Sequence, residues 1–580
     1  MPPLASLMIS PPVELLTTKP HLFRLAQQLS EGYHSHQVTQ AELKTIGLAL
    51  WQVLNLDADS IPPALMIECH HNAIDHLPWE CLYHPERGFL GLQSDYTLSR
   101  WVRGNHHRTH PLPGPLKILL FTAQPEKTSY QSTPLEVERE QQEMQTTLEP
   151  FIRAGWVHFY APDDGRFTTF IELLQSQSWH VVLLSGHGVF KPETQPAGFF
   201  VFENEEGSGE LIAANTLAQV FEETKVQCVV VAACQSGQWL SLIMPIIQAG
   251  VPHVIGMREP LIDRAGSIFV RTLSVALAQR ERVDVAVQQG RRAMMQLLLP
   301  NEVWRDTKGK PCLHDPGVGQ WCLPMLLSRD PAQPLLDWNF CPQTRLPSLV
   351  GSQITLPEVF LGRRRELHTL GEALRIGTIQ RLLIWGTGGV GKTALVARLA
   401  MALIQQGYRV LVYQAGEEAG FVSTLAQALE LPETMGLERL LEFLVRERWL
   451  LWLDRLEWSQ NPRNGVLTDE SIQTSLDILI RKKKSDNLRI VLTSRWKIPS
   501  LDFEDYYLTC SSFNDYFRCI QHFGLPYSPS QAFFIYKKLH GNCHGLQLLK
   551  SMPVAVETRE LIKQVEVVRR YLEAYQRRVF

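Results

Sequence analysis

Short, uninterrupted apolar runs recur along the chain, and turn residues or amphipathic stretches separate them. Seven such runs stand out, at 116–123, 180–188, 228–234, 381–386, 409–415, 449–454 and 489–495. Apolar runs of this length without polar alternation are typical of parallel strands buried on both faces, with helices between them. The pattern therefore predicts two α/β domains, each built on a largely parallel sheet.

A stretch rich in proline separates the first three runs from the last four. Its composition is typical of a linker, because each proline interrupts regular structure. These prolines stand at positions 331, 334, 342, 347 and 357. We predict a first domain over 1–330, a linker over 331–357, a second domain over 358–500 and a small helical lid over 501–580.

Composition and charge exclude several classes of protein without naming an activity. Hydrophobic residues make up 45% and charged residues 20% of the 580 residues, which is ordinary for a folded protein. The net charge of −3 argues against a basic surface for nucleic acid. Ten cysteines are too few for a disulfide scaffold in this length.

The sequence also lacks clear signals for secretion and for insertion into a membrane. The first sixteen residues lack the basic segment and the unbroken apolar core of a signal peptide. The most apolar long stretch, 241–257, is interrupted by two prolines and fails as a membrane span. We expect a cytoplasmic protein in a reducing compartment, with neither a membrane nor a direct nucleic-acid partner.

Residues 386–393 read GTGGVGKT, which satisfies the pattern of a phosphate-binding loop in full. The loop follows an apolar run and precedes a helical pattern, so backbone N–H groups and a helix N-terminus would face phosphate oxygens. Lys392 would reach the β- and γ-phosphates, and the Thr393 hydroxyl would ligate Mg²⁺. The predicted nucleotide contacts are Gly386, Thr387, Gly388, Gly389, Val390, Gly391, Lys392 and Thr393.

A carboxylate that faces Mg²⁺ should end a second buried strand of the same domain. Asp454 follows five residues that are all Leu or Trp, and we predict that it is this Mg²⁺ ligand. Glu457 either polarises the attacking water or is only a residue in the first turn of a helix. Arg495 ends the next run, where it either contacts the γ-phosphate or is a surface arginine.

These motifs, with FLGR at 360–363, resemble the STAND (NB-ARC-like) signalling ATPases over about 358–500, and HGNCHGLQLL at 540–549 follows beyond this stretch. The resemblance implies a switch in which ADP holds a closed form and ATP supports an open, oligomerising one. HGNCHGLQLL resembles the later G-x-P element of that family, with Cys543 in place of the proline. Arg455 stands where many relatives carry an acidic residue or Asn, which implies slow hydrolysis.

His187 and Cys234 each lie at the carboxyl end of a predicted buried strand, where catalytic groups gather in a parallel sheet. The histidine precedes the cysteine by 47 residues, close to the spacing of caspases. An imidazole beside a thiol favours the thiolate at neutral pH, so the pair suits nucleophilic catalysis. The N–H groups of Gly188 and Cys234 are the candidates for an oxyanion hole.

Each member of this pair has an ordinary structural alternative. A cysteine that follows an apolar strand is usually a small core residue, and a histidine between glycines can cap a turn. Their joint occurrence, in this order and on neighbouring strand ends, favours a catalytic dyad.

The dyad and its flanking segments resemble the CHAT family of caspase-like peptidases over about 60–330. The resemblance is carried by the segments 77–100 and 321–327 and by the sequence that follows the cysteine. It implies a caspase-like fold, with the dyad on His187 and Cys234 and a structural role for residues 77–80. Residues 1–60 match no family that we can name.

Together the two resemblances imply a nucleotide-regulated cysteine endopeptidase: a caspase-like α/β domain, a P-loop NTPase domain and a helical lid. ATP or ADP with Mg²⁺ would be its cofactors. A protein substrate, a second copy on ATP binding and a separate sensor protein would be its partners, in bacterial defence or regulated cell death. The alternatives are an ATP-switched scaffold without catalysis and a plain ATPase with a regulatory first domain.

Overall fold

Each of the seven apolar runs forms a β-strand in the computed structural model. The chain divides into two compact units, Met1–Arg345 and Leu346–Phe580. The residues that the structure describes are 6–35, 37–56, 61–104, 111–125, 137–190, 198–234, 240–259, 261–295, 317–342, 349–352, 360–416, 420–481, 487–499, 501–553 and 558–577.

The first unit contains fifteen strands and ten helices within its described residues. Its strands are β1 (Ser6–Ile9), β2 (Ala64–Cys69), β3 (Tyr83–His84), β4 (Gly88–Phe89), β5 (Thr97–Val102), β6 (Leu112–Pro113), β7 (Leu116–Thr122), β8 (Val157–Tyr160), β9 (Val181–Phe190), β10 (Gly198–Glu203), β11 (Gly209–Ala213), β12 (Cys228–Cys234), β13 (His253–Met257), β14 (Pro324–Ser328) and β15 (Leu336–Asp337). Its helices are α1 (Leu15–Thr18), α2 (Pro20–Ser35), α3 (Gln40–Leu54), α4 (Asn72–Asp75), α5 (Val137–Arg153), α6 (Phe167–Ser176), α7 (Ala214–Glu222), α8 (Leu240–Gln248), α9 (Asp263–Ala278) and α10 (Val283–Met295).

An 11-stranded sheet forms the centre of the first unit, with the order β1-β2-β5-β14-β13-β12-β9-β10-β11. β7 joins the sheet beside the first half of β9, and β8 pairs with β7. The strands β8, β7, β9, β12 and β13 are parallel to one another, and the direction reverses between β13 and β14. The carboxyl ends of the parallel group therefore meet at one edge of the sheet.

Helices cover both faces of this sheet, which explains why its strands lack polar alternation. Val181 and Leu183 belong to one buried cluster together with residues of α5 and α9. Val182 and Leu184 belong to the cluster on the opposite face, with residues of α6, α7 and α8. Successive side chains of a strand point to opposite faces, so a run that is apolar at every position fills two cores.

Residues 77–80 have structural contacts, as their resemblance to the CHAT pattern implies. The Glu80 carboxylate accepts two hydrogen bonds from the Arg100 guanidinium, at 3.0 and 2.7 Å, and neither side chain is exposed to solvent. Arg100 also donates to the carbonyl of Leu77 at 2.9 Å. The buried ion pair between Glu80 and Arg100 therefore links this segment to β5.

Replacing Glu80 with Ala is expected to lower the free energy of unfolding by about 3–5 kcal/mol, because it leaves a buried guanidinium without its counter-charge. Chemical denaturation of the full chain measures the change. Glu68→Ala is the matched control, since its partner Arg103, at 3.6 Å, is exposed to solvent and an ion pair with a solvated partner contributes at most about 1 kcal/mol. Equal effects of the two substitutions would contradict the structural role of Glu80.

The second unit contains a fully parallel six-stranded sheet with the order β16-β18-β19-β20-β17-β21. Its strands are β16 (Leu349–Gly351), β17 (Arg381–Trp385), β18 (Arg409–Gln414), β19 (Trp449–Asp454), β20 (Leu488–Ser494) and β21 (Glu504–Tyr507). Its helices are α11 (Arg364–Ile376), α12 (Lys392–Gln405), α13 (Phe421–Ala428), α14 (Leu437–Arg446), α15 (Glu470–Arg481), α16 (Phe513–His522), α17 (Pro529–Leu539), α18 (Cys543–Lys550) and α19 (Thr558–Arg577). The helices α16 to α19 share a buried cluster of their own.

The boundary between the two units falls inside the segment predicted as a linker. Before the boundary, β15 pairs with β6, and the Phe340 ring lies 5.2 Å from the Trp156 ring. After it, β16 pairs with β18. The proline-rich segment thus contains short strands between its prolines. The predicted domain boundaries, 1–330, 331–357, 358–500 and 501–580, stay predictions. No helix in the described ranges has both the length and the apolar character to cross a membrane.

Candidate active site and nucleotide-binding site

His187 and Cys234 lie opposite each other on neighbouring parallel strands. β9 and β12 pair continuously from Val181 with Cys228 to His187 with Cys234. Apolar residues on both strands fix this register, since a slip by one residue would move every side chain to the other face. The backbones of the two predicted dyad residues are therefore adjacent at the carboxyl edge of the sheet.

The imidazole of His187 is buried but has an unsatisfied nitrogen. His187 is 7% exposed, and its Nδ1 has no hydrogen-bond partner in the part of the chain that the structure describes. Burial lowers the pKa of His187 below its ordinary value, which keeps the ring neutral near pH 7. A neutral imidazole can accept a proton, as a general base must.

The predicted dyad site also includes Cys234 and Gly188. The side chain of Cys234 and residues 235–239 lie outside the described part of the chain. Gly188 does not end its strand: β9 continues to Phe190, because β10 pairs with it beyond β7, and Gly188 lies opposite Phe200. The roles of Cys234 and Gly188 in catalysis stay predictions.

A carboxylate that the sequence analysis did not single out lies close to this edge. Glu140, in the first turn of α5, accepts a hydrogen bond from the Ser185 hydroxyl at 2.8 Å. Burial, with the charges of Asp263 and Glu143, raises the pKa of Glu140 to about 7. No local sequence pattern around Glu140 indicates this contact, because Ser185 is 45 positions away along the chain.

The phosphate-binding loop joins β17 to α12, as its pattern predicts. Gly389 has a φ of +80°, and a Cβ atom there would lie 2.6 Å from Oδ1 of Asn542. Both facts require glycine at this position. The loop curls at the N-terminus of α12, where backbone N–H groups have no intrahelical partner. It contains the predicted contacts Gly386, Thr387, Gly388, Gly389, Val390 and Gly391.

The ammonium group of Lys392 is folded into this loop. Its Nζ donates to the carbonyls of Gly386 and Thr387, at 2.9 and 3.1 Å. Burial lowers the pKa of Lys392, and the nearby carboxylates of Glu457 and Asp454 act in the opposite direction. The cation is thus held at the loop by two neutral carbonyls, and phosphate oxygens would be stronger acceptors.

Thr393 and Asp454, the predicted Mg²⁺ ligands, are in direct contact. Thr393 Oγ1 donates to Asp454 Oδ1 at 3.0 Å, and Asp454 is completely buried at the end of β19. Thr493 on β20 also donates to this carboxylate. A hydroxyl and a carboxylate beside a phosphate-binding loop are the oxygen donors that Mg²⁺ takes from a protein, so these residues fit the ion.

The side chain of Arg495 is largely covered, which argues against the surface-arginine alternative. It is 9% exposed, and its Nε lies 3.2 Å from Oε1 of Glu457. A Cβ atom at Gly388 would lie 3.3 Å from the guanidinium carbon, so Arg495 packs against the loop. The second carboxylate oxygen of Glu457 is buried and has no hydrogen-bond partner among the described residues. Both assignments for Glu457 remain open.

Two further residues of the quoted motifs contact the loop. Asn542 caps α18 and donates from Nδ2 to the carbonyl of Gly388 at 2.9 Å. Arg363 donates to the carbonyls of Val390 and Thr509, at 3.0 and 2.7 Å. The helical segment of the second unit therefore closes on the loop through the residue before Cys543.

Two family models match this chain, one over most of the first unit and one within the second unit. A model described as "CHAT domain" matches residues 40–338, which is more than half of the chain. A model described as "CobQ/CobB/MinD/ParA nucleotide binding domain" matches residues 382–562. The second unit thus carries a P-loop nucleotide-binding domain. No curated protein matches the chain.

Solved structures resemble about a third of the chain. A STAND protein with a tetratricopeptide repeat sensor from Pyrococcus horikoshii shares 18% identity, with a TM-score of 0.26 over 36% of this chain and 33% of that one. A Walker-type ATPase from Pyrococcus abyssi shares 14% identity, with a TM-score of 0.29 over 38% and 76%. AMPPCP-bound DnaA from Aquifex aeolicus shares 16% identity, with a TM-score of 0.25 over 37% and 68%. The chain thus spans a third of the first protein, and TM-scores this low carry no inference about function.

Proposed function

The chain belongs to the CHAT family, and from this premise we propose that its first unit is a cysteine endopeptidase regulated by nucleotide at the second unit. One observation carries the proposal: His187 lies directly opposite Cys234 in the register of β9 and β12. The parallel edge that holds both residues is where catalytic groups gather in such a sheet.

The proposed reaction needs only these two side chains and a water molecule. The neutral His187 takes the proton of the Cys234 thiol as the sulfur attacks the peptide carbonyl. His187 then gives this proton to the departing amine as the C–N bond breaks, which leaves a thioester. Water, deprotonated by His187, adds to the thioester, and release of the carboxylic acid restores the thiol.

In the second unit, the loop at 386–391 and Lys392 would bind the β- and γ-phosphates of ATP, and Thr393 and Asp454 would hold Mg²⁺. The ion would supply charge neutralisation at the phosphates. Arg495 packs against Gly388, and we assign to it the contact with the γ-phosphate. Asn542 reaches the same loop from the helical segment, which suits a nucleotide-dependent closure of the kind found in STAND ATPases.

The biological role follows from the family resemblance. We place the chain in bacterial defence or regulated cell death, in the cytoplasm, with a protein as substrate. ATP binding would assemble copies of the chain, and a separate sensor protein would supply the trigger.

Incubation of the purified chain with casein tests the proposal. Cleavage is expected with ATP and Mg²⁺ and is expected to be much weaker with ADP or without nucleotide. Failure to cleave casein and a set of proteome-derived peptides in all three conditions would favour the non-catalytic scaffold. ATP turnover well above about 1 per second, the low end of ordinary enzyme rates, would favour the plain ATPase.

A further inference from the structure

Three cysteines that follow β21 in the chain lie close together in the second unit. Cys510 is exposed, whereas Cys519 in α16 and Cys543 at the start of α18 are half-buried. The Cys519 thiol donates a hydrogen bond to the sulfur of Cys543. A Cβ atom at Gly541 would lie 3.2 Å from Cβ of Cys510, so this third cysteine lies near the turn before Cys543. The chemistry proposed for the peptidase and for the nucleotide site uses none of these thiols.

The surroundings of Cys543 favour its thiolate. Cys543 is the first residue of α18, where backbone N–H groups and the helix dipole stabilise negative charge. The Ser511 hydroxyl lies 3.8 Å from its sulfur. The hydrogen bond from Cys519 lowers the pKa of Cys543 against the effect of burial, and the charge of Arg363 acts in the same direction as that hydrogen bond. Because the thiolate and not the thiol is the nucleophile, Cys543 is the member of this cluster that would react first.

A buried hydroxyl without a partner lies beside the same cluster. Tyr516 precedes Cys519 by one turn of α16 and is completely buried. Its Oη has no hydrogen-bond partner in the part of the chain that the structure describes. Burial raises the pKa of Tyr516, and the charges of Cys543, Cys519 and Cys510 add to this effect, so the hydroxyl lies in the electrostatic environment of the thiols. A buried donor without an acceptor costs free energy, and an oxygen atom added to a neighbouring sulfur would supply an acceptor.

We propose that Cys543 and Cys519 are a redox modification site, in which a hydroperoxide converts the two thiols into a disulfide that slows the release of nucleotide. The Cys543 sulfur attacks one oxygen of the hydroperoxide, and the O–O bond breaks. The other oxygen leaves as an alcohol, or as water from hydrogen peroxide, with the proton of the thiol. Cys519 then attacks the sulfenic sulfur, and the S–O bond breaks with release of water. The two thiols are thus oxidised by two electrons, and the hydroperoxide is reduced.

The disulfide would join two helices whose residues contact the phosphate-binding loop and the segment before α11. Asn542, next to Cys543, donates to the carbonyl of Gly388 at 2.9 Å. On α16, the Asp515 carboxylate accepts a hydrogen bond from the backbone N–H of Arg363 at 3.5 Å. A covalent link between α16 and α18 would restrain the contacts that close on the loop, so bound nucleotide would leave more slowly. This effect rests on the proposed function, since it requires that the loop binds nucleotide.

Treatment of the full chain with hydrogen peroxide, followed by peptide mapping without reduction, tests the proposal. The peptides that contain Cys519 and Cys543 are expected to be cross-linked, and dithiothreitol should separate them. Dissociation of a fluorescent ADP analogue is expected to slow by at least about fivefold after oxidation, the low end of ordinary coupling between two sites, and to recover on reduction. Cys519→Ser and, separately, Cys543→Ser should abolish both effects. Before oxidation, Cys519→Ser should release the analogue at the wild-type rate, which shows that this variant is folded.

Cys510→Ser is the matched control, because Cys510 is the exposed member of the same cluster. It should form the same cross-link and show the same slower release. A cross-link through Cys510, the absence of any cross-link at Cys543, or an unchanged dissociation rate in the cross-linked chain would overturn this inference and leave the proposed nucleotide site standing. Failure of the reduced chain to bind the analogue would instead overturn the proposed nucleotide site and this inference with it.

Discussion

Replacing Cys234 with Ala is expected to abolish peptide cleavage while leaving the affinity for ATP unchanged. In the proposed mechanism the thiol forms a bond to the substrate, and loss of a catalytic nucleophile in comparable hydrolases lowers kcat by on the order of 10⁶. The residues proposed to bind nucleotide, from Gly386 to Asn542, belong to the other unit, and the change from Cys to Ala adds neither charge nor bulk. Fluorogenic peptide hydrolysis and titration with a fluorescent ATP analogue measure the two quantities.

Cys341→Ala provides the matched control, because Cys341 is an exposed cysteine of the same unit. It should retain full activity and full labelling by a thiol-reactive peptide probe, whereas Cys234→Ala should lose both. Cleavage that persists in Cys234→Ala would identify a different nucleophile and remove the basis for the dyad.

Replacing Lys392 with Ala is expected to weaken ATP binding by at least about 30-fold and to abolish any stimulation of cleavage by ATP. The Lys392 ammonium is buried at the loop, where it donates to the carbonyls of Gly386 and Thr387. Without it, the phosphates would lose a desolvated charge partner, which costs about 2–5 kcal/mol in comparable sites. Equilibrium binding of ATP and casein cleavage with and without ATP measure the two effects.

Lys497→Ala is the control for a general loss of charge in the same unit. Lys497 pairs with Asp505 at 3.0 Å on the surface, so ATP binding and stimulation should stay at wild-type levels. Equal cleavage by Lys392→Ala and the wild-type chain in the presence of ATP would contradict nucleotide regulation, and it would leave the peptidase chemistry intact.

The seven central strands of the two sheets could be predicted because burial on both faces makes a strand apolar at every position. Val181 to Leu184 are apolar at every position, and the structure divides them alternately between two cores. The phosphate-binding loop could be predicted because its sequence pattern is local: it places glycines where the backbone turns, as at Gly389 with its φ of +80°, between a strand and a helix.

Contacts between distant parts of the chain could not be predicted in the same way. Glu140 and Ser185 are 45 positions apart, and Asn542 and Gly388 are 154 positions apart. An acidic residue in the first turn of a helix has an ordinary explanation in the helix dipole, so Glu140 carried no signal by itself. The continuation of β9 past His187 depends on β10, whose pairing no local pattern around His187 indicates.

β9 is held along both of its edges, which constrains any inactive form of the proposed peptidase. One edge pairs with β12 over seven positions, and the opposite edge pairs first with β7 and then with β10. Sliding the backbone of His187 past that of Cys234 would break ladders on both sides at once. We therefore expect any inactive form of the proposed peptidase to keep the two backbones aligned, so that regulation would act on access to the proposed dyad and not on its alignment.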